Sequence, residues 1–240
     1  MSVAPDGLDE LRDSLPILAK LLGETVRWVH PDVFRAMPLW YPETARGEPE
    51  FNAAYDKQRM LNGNLRAEAN IFAGRALMKA MGLRKRPPNW AVCHIWGYDD
   101  PKFGSKGNVV RDRRFYSCVG NMVLVPSPLK GLTDHIPEVR LMLRTCAYHL
   151  YGWLCEHDDL SSSNDLEQIR QGLIPKDYPA DWPVKKSDVL PRNVMHPDNW
   201  VWNEIGKRKE RIKSELKTCG ALYPREAIVS ALRFWKVDWI

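Results

Sequence analysis

Residues 90–96 read Trp-Ala-Val-Cys-His-Ile-Trp, and residues 120–126 read Gly-Asn-Met-Val-Leu-Val-Pro. Short apolar runs of this kind, rich in β-branched and aromatic side chains and bounded by turn formers, predict two buried strands. The second run opens at Phe115, continues to Leu124 and ends at Pro126, which has no N–H to offer a ladder. A polar, glycine-bearing loop over 97–114 joins them. Past Pro128, the helical spacing of Ile136, Val139, Leu143, Ala147, Leu150 and Leu154 predicts a helix over 136–156.

Outward from this centre the chain reads as helical. Leu8, Leu11, Leu15, Leu18, Leu21 and Leu22 predict a helix over 8–29, with Pro16 marking a break or a first turn. Four prolines make 30–51 irregular, and a long helix is expected over 52–81 with Gly82 as its stop. Residues 173–199, rich in proline and polar groups, should wrap over the surface. Helices are expected at 199–217 and at 224–235, the latter opening on Pro224. The predicted class is α+β, mainly helical, with an embedded two-strand hairpin plus helix. All 240 residues are read as one domain, helical to 88, with the hairpin core at 89–157 and a helical remainder at 158–240.

Composition narrows the setting. Hydrophobic residues make up 44% and charged residues 27%, enough apolar surface to exclude wholesale disorder. No apolar run is long enough to span a bilayer. The five cysteines (93, 118, 146, 155 and 219) lack a disulfide-framework spacing. The acidic N-terminus lacks a signal-peptide pattern, so reduced thiols in a cytoplasm are expected. The net charge of +5 is near −1 over residues 1–80 and +3 over each following third, which permits an anionic partner without demanding one. Three basic clusters stand out: Arg84-Lys85-Arg86, the loop Lys106 to Arg114, and Lys207 to Lys217.

Cys93-His94 ends the first run, Asn121 opens the apolar part of the second, and a helix follows Pro128. Strand with His, loop, strand with Asn, helix: on CHIWG at 93–97 and GNMVLVPSPLKGLTDH at 120–135, the chain resembles the HNH (ββα-metal) nucleases. Residues 90–135 carry this resemblance, and the same stretch is similar to a group of bacterial proteins that brings no activity with it. It implies metal-assisted hydrolysis of a nucleic-acid phosphodiester, with DNA in a restriction or defence setting as the expected substrate. His94 would activate water and Asn121 would orient it. A divalent ion, Mg or Mn with Zn as the alternative, would neutralise developing charge. The family has an acid or a His before the motif His, where Cys93 stands here, and a ligand on the helix, where Lys130 stands here. Candidate ligands are therefore Cys93, Asp134 and His135, with Asp99 or Asp100 as further oxygen donors. A thiolate suits zinc better than magnesium. Lys106, Arg111, Arg113 and Arg114 would approach phosphates from the loop, and Lys207 and Arg208 from a basic helix.

Other readings stand beside this one. His94 is equally read as a core histidine between two Trp residues, and Asn121 as a turn cap. The chain would then be a nucleic-acid- or protein-binding module with a degenerate element, with or without zinc, alone, as a homodimer or with a partner protein. Cys146, His149, Cys155 and His157 have the residue types of a zinc site, but on a Leu-rich helix they read better as core. The basic helix at 207–217 carries Glu204, Glu210 and Glu215 nearby and reads better as a solvated face. A Cys93–His94 nucleophile pair is disfavoured, because neighbours in a strand point to opposite faces.

Overall fold

A computed structural model describes residues 6–52, 57–97, 108–160, 163–186 and 190–240. The N-terminal part contains α1 (Gly7–Glu10), α2 (Leu15–Thr25), β1 (Trp28–Val29) and α3 (Pro31–Ala36). Two small strand pairs follow, β2 (Phe51–Asn52) with β3 (Lys57–Gln58) and β4 (Met60–Leu61) with β5 (Asn64–Leu65). Then come α4 (Ile71–Ala80), β6 (Trp90–His94), α5 (Asn108–Arg111), α6 (Arg113–Tyr116), β7 (Met122–Pro126) and α7 (Lys130–His135). The chain ends with α8 (Pro137–Tyr151), α9 (Asn164–Arg170), β8 (Val194–Met195), α10 (Asn199–Thr218) and α11 (Arg225–Phe234). The class is α+β. Among the described residues no helix is long and apolar enough to cross a membrane.

The centre is the antiparallel pair of β6 and β7, in register from Trp90 opposite Pro126 to His94 opposite Met122. Its period-2 alternation divides the interior into two apolar layers. Met122 and Leu124 face one layer with Ala73, Ala76 and Leu77 of α4 and Val201 and Ile205 of α10. Val123 and Val125, with Cys93, face the other, with Val139, Leu143 and Cys146 of α8 and Leu22 of α2. A strand apolar on both faces needs cover on both, which is why helices flank the pair. The free edge of β7 is covered in turn, since Arg27 and Leu124 exchange backbone hydrogen bonds of 2.9 and 3.2 Å. Tyr151, Trp153 and Trp235 pack against both layers and join them.

Several expected boundaries move. The long helix over 52–81 is present only as α4, from Ile71. Upstream, Asn62 and Gly63 adopt φ of 51° and 81° between β4 and β5. Asn-Gly with both φ positive is the two-residue hairpin turn whose twist matches that of paired strands, and it overrides the scattered helical spacing around it. The second central strand begins at Met122, not Phe115: α6 and a 3-10 turn, Val119–Asn121, occupy the interval. Pro16 sits in the first turn of α2, and Gly152, at φ 64°, stops α8 at Tyr151.

The 3-10 turn before β7 is built without slack. A Cβ on Gly120 would lie 2.6 Å from Phe34 Cε2, and that ring is held by Tyr151 and Trp235 at centroid separations of 4.8 and 5.7 Å. Gly120→Ala is expected to destabilise the protein by about 1–3 kcal/mol through overpacking. An unchanged urea midpoint would contradict this account of the turn.

Candidate functional site

His94 is the last residue of β6, where the ladder ends and the ring can leave the core. Its Nε2 lies 2.9 Å from the carbonyl oxygen of Tyr116. A carbonyl only accepts, so Nε2 carries the proton and Nδ1 holds the lone pair. The ring stacks on that of Tyr116 at 5.9 Å and 25°. Nδ1 makes no hydrogen bond among the described residues and is not among the buried polar atoms without a partner, so it meets solvent in the adjoining cavity. Removal from water pushes the imidazole pKa down to about 4. The Tyr116 carbonyl opposes that shift, and the Arg46 and Lys130 charges add to it.

Asn121 is fully buried and fastens the chain beyond His94 to the chain before β7. Its Oδ1 accepts from Trp96 N at 2.8 Å, and its Nδ2 donates to the carbonyls of Trp96 and Phe115, each at 3.2 Å. Its own carbonyl accepts from Ile95 N at 2.9 Å. The expected role of orienting water or the imidazole directly is corrected: the carboxamide is committed to backbone and acts on His94 only through the loop it holds.

A cavity of about 60 Å³ opens beside His94, room for several water-sized groups. Lys130, Thr133 and Asp134 of α7 form one wall, and Arg46, Arg140 and Arg144 also line it. Among the described residues of the lining, four cationic side chains stand with one carboxylate, Asp134, which forms an ion pair with Lys130 one turn away. Arg140 Nη1 donates to the Asp134 carbonyl at 2.7 Å. Arg144 is buried, paired with Asp165, and places its guanidinium 4.2 Å from the centre of the Trp96 ring.

Of the proposed metal ligands, Cys93 and Asp134 line this cavity with His94, and His135 does not. Cys93 projects from the opposite face of β6 to His94. Burial, opposed by a hydrogen bond with Thr133, pushes its thiol up to about 11, so it is not the thiolate a metal needs. His135 lines a different cavity, with Asp9 and Leu15. Asp99 and Asp100 lie outside the described residues. Among those described, no three His, Cys, Asp or Glu side chains are placed to hold an ion. The described residues thus do not by themselves make a divalent-cation site. The alternative zinc set fails likewise: Cys146 and Cys155 are buried thiols, and His157 Nδ1 accepts from Asp159 N at 3.1 Å.

The expected phosphate contacts disperse too. Lys106 lies outside the described residues, and Arg111 is exposed on α5. Arg113 is bound to the Glu43 carbonyl and to Glu48. Arg114 donates to Asp112 Oδ2 at 2.9 and 2.6 Å and lies over the rings of Phe115 and Phe234. Arg208 is corrected most fully, because its side of α10 faces the core. It is buried, donates to the Trp40 carbonyl at 2.6 Å and to Glu43 at 2.5 Å, and lies over Tyr41. Lys207 is exposed and paired with Glu204 at 3.0 Å. The cationic residues that do converge, Arg46, Arg140 and Arg144, went unread. The usable signal was Arg140 and Arg144 four residues apart within the apolar pattern of α8.

No family model, no curated protein and no solved structure matches the chain.

The depressed pKa of His94 has a consequence for stability. Unfolded, the ring protonates near 6.5, and folded at about 4. Between these values the unfolded chain binds more protons, so stability is lost as pH falls through that window, by at most about 3 kcal/mol. His94→Gln keeps an N–H donor but does not titrate. The loss of urea stability between pH 7 and pH 4.5 should shrink by about 2 kcal/mol in this variant. Equal losses in both proteins would show that the ring is not desolvated.

Proposed function

We propose that the chain is a nucleic-acid-binding protein that seats a backbone phosphate, of DNA by the family likeness, in the cavity beside His94. The hairpin of β6 and β7 followed by α7 is an HNH-like element in order and in its His and Asn positions. The observation that carries the reading is the lining of the cavity. Four cationic side chains surround a space of small-anion size, and Lys130 stands where the family places a metal ligand. A phosphate oxygen takes charge-assisted hydrogen bonds from such groups without an ion to bridge them.

The test is fluorescence anisotropy with labelled single-stranded and duplex DNA at low and moderate salt. Affinity should fall steeply with salt. Lys130→Gln should weaken binding about tenfold and reduce the salt slope by about one counterion. Lys130 is a half-exposed residue of a surface helix, so the variant should stay folded. Salt-independent binding, or none at low salt, would sink the proposal.

A second reading, HNH-type hydrolysis, is favoured by one observation. The imidazole is fixed through Nε2 and presents Nδ1 to the cavity, the posture of a general base. An incoming phosphate, being anionic, would raise the ring pKa from about 4 toward the range where a base is effective. Nicking of supercoiled plasmid, assayed with EDTA, Mg, Mn and Zn in turn, decides between the two. On the binding reading none of these conditions yields product. Cleavage that disappears in His94→Ala would establish the second reading instead.

A further inference from the structure

A second and much larger cavity, about 660 Å³, adjoins the first and shares Asn70, Val92 and Lys130 with it. We propose that this cavity is a nucleoside subsite: it takes the unstacked base and sugar of a single-stranded nucleotide whose phosphate sits beside His94. This inference rests on the phosphate reading above and specifies its substrate class as single-stranded.

Four features fit that occupant. The floor is apolar, formed by Ile71, Met78, Leu83 and Ala91, with the half-buried indole of Trp200 in the lining. Flat, apolar and aromatic surface is what a base released from its stack requires. The rim carries Arg84, Lys85 and Arg86, all exposed and without an ion pair among the described residues. Their charge complements the phosphates on either side of a bound nucleotide. The partition between the cavities holds Asn70, whose Oδ1 is closed off from water and lacks a hydrogen-bond partner. A buried acceptor without a donor is costly, and rotation of that amide toward a base N–H would satisfy it. An acyl chain in the same space would leave it unsatisfied. Finally, Gly74 in the middle of α4 leaves the wall open, since a Cβ there would meet nothing within 4 Å.

Gly74 also supplies a clean probe. Gly74→Leu replaces a mid-helix glycine with a strong helix former and directs the new side chain into empty space, so it should fold at least as well as the parent. The experiment compares three labelled DNAs of equal length with the full chain: a thymidine 12-mer, the same strand with abasic sites at its central positions, and its duplex. Thymidine strands are expected to bind about tenfold more tightly than abasic strands, which keep the charge but lack the bases. Duplex, whose bases are stacked away, should also bind more weakly than the single strand. Gly74→Leu should erase the preference for thymidine and leave abasic affinity unchanged. Equal affinity for thymidine and abasic strands overturns the nucleoside subsite while the phosphate reading stands. So does a preference that survives in Gly74→Leu, or a duplex bound as tightly as the single strand. Failure of every DNA to bind overturns both.

Discussion

One buried carboxamide sets the geometry of the functional end of this molecule. Asn121 has no exposure, and all three of its side-chain hydrogen bonds go to backbone of the segments flanking the central hairpin. In a dry interior such bonds are strong when complete, and each backbone group would be costly to strand. Satisfying Trp96 N, Trp96 O and Phe115 O together fixes where β6 ends and where Tyr116 begins to leave α6. Those two points define the site: His94 closes β6, and the Tyr116 carbonyl receives its Nε2 proton. The tight turn at Gly120, against Phe34, brings the carboxamide to its place. Imidazole orientation is thus a consequence of backbone closure two steps away, with no direct bond between the Asn and the His.

The electrostatics of the cavity follow from the same closure. Holding His94 at the core boundary strips it of water, and the Arg46 and Lys130 charges discourage a further positive charge. The ring therefore stays neutral beside the cationic side chains that line the cavity. By linkage, whatever anion occupies the space must also favour protonation of the ring. On the proposed reading, phosphate binding and proton uptake at His94 would be two sides of one equilibrium. Tyr116 extends the coupling to α4, since its hydroxyl donates to Glu68, which accepts from Phe72 N in the first helical turn. The wall of the larger cavity is tied to the imidazole through these bonds.

Much of the fold was legible in the sequence because the relevant signals are local. The apolar runs around Val92 and Val123, the 3.6-residue spacing of α8 and the proline at the start of α2 all act within a few residues. The error over 52–81 arose where two local signals compete, and the Asn62-Gly63 turn won over diffuse apolar spacing. The misplaced start of β7 has a different cause: Phe115 and Tyr116 are apolar for packing and hydrogen bonding inside a short helix, which hydrophobicity alone does not distinguish from a strand. His94 and Asn121 were readable as a pair. Their cationic neighbours were not, because Arg46, Lys130 and Arg144 meet only after three separate segments have packed. Conversely, Arg113, Arg114 and Arg208 read as phosphate contacts because sequence shows charge without showing the partner. Glu48 and Glu43 are remote in sequence from Arg113 and Arg208, whereas Asp112 stands two residues before Arg114 and was a readable partner.

Cys93 and Lys130 become coherent once faces are assigned. Strand alternation sends the Cys93 side chain to the α8 layer, where a small apolar group suits the packing and a carboxylate would be buried and poorly solvated. Lys130 lines the cavity from α7 and holds Asp134 in an ion pair. A cation there would have to displace that ammonium and approach Arg46, Arg140 and Arg144. Both positions at which the chain departs from the HNH pattern therefore have a structural reason: Cys93 packs its thiol in the core and bonds Thr133, and Lys130 pairs with Asp134.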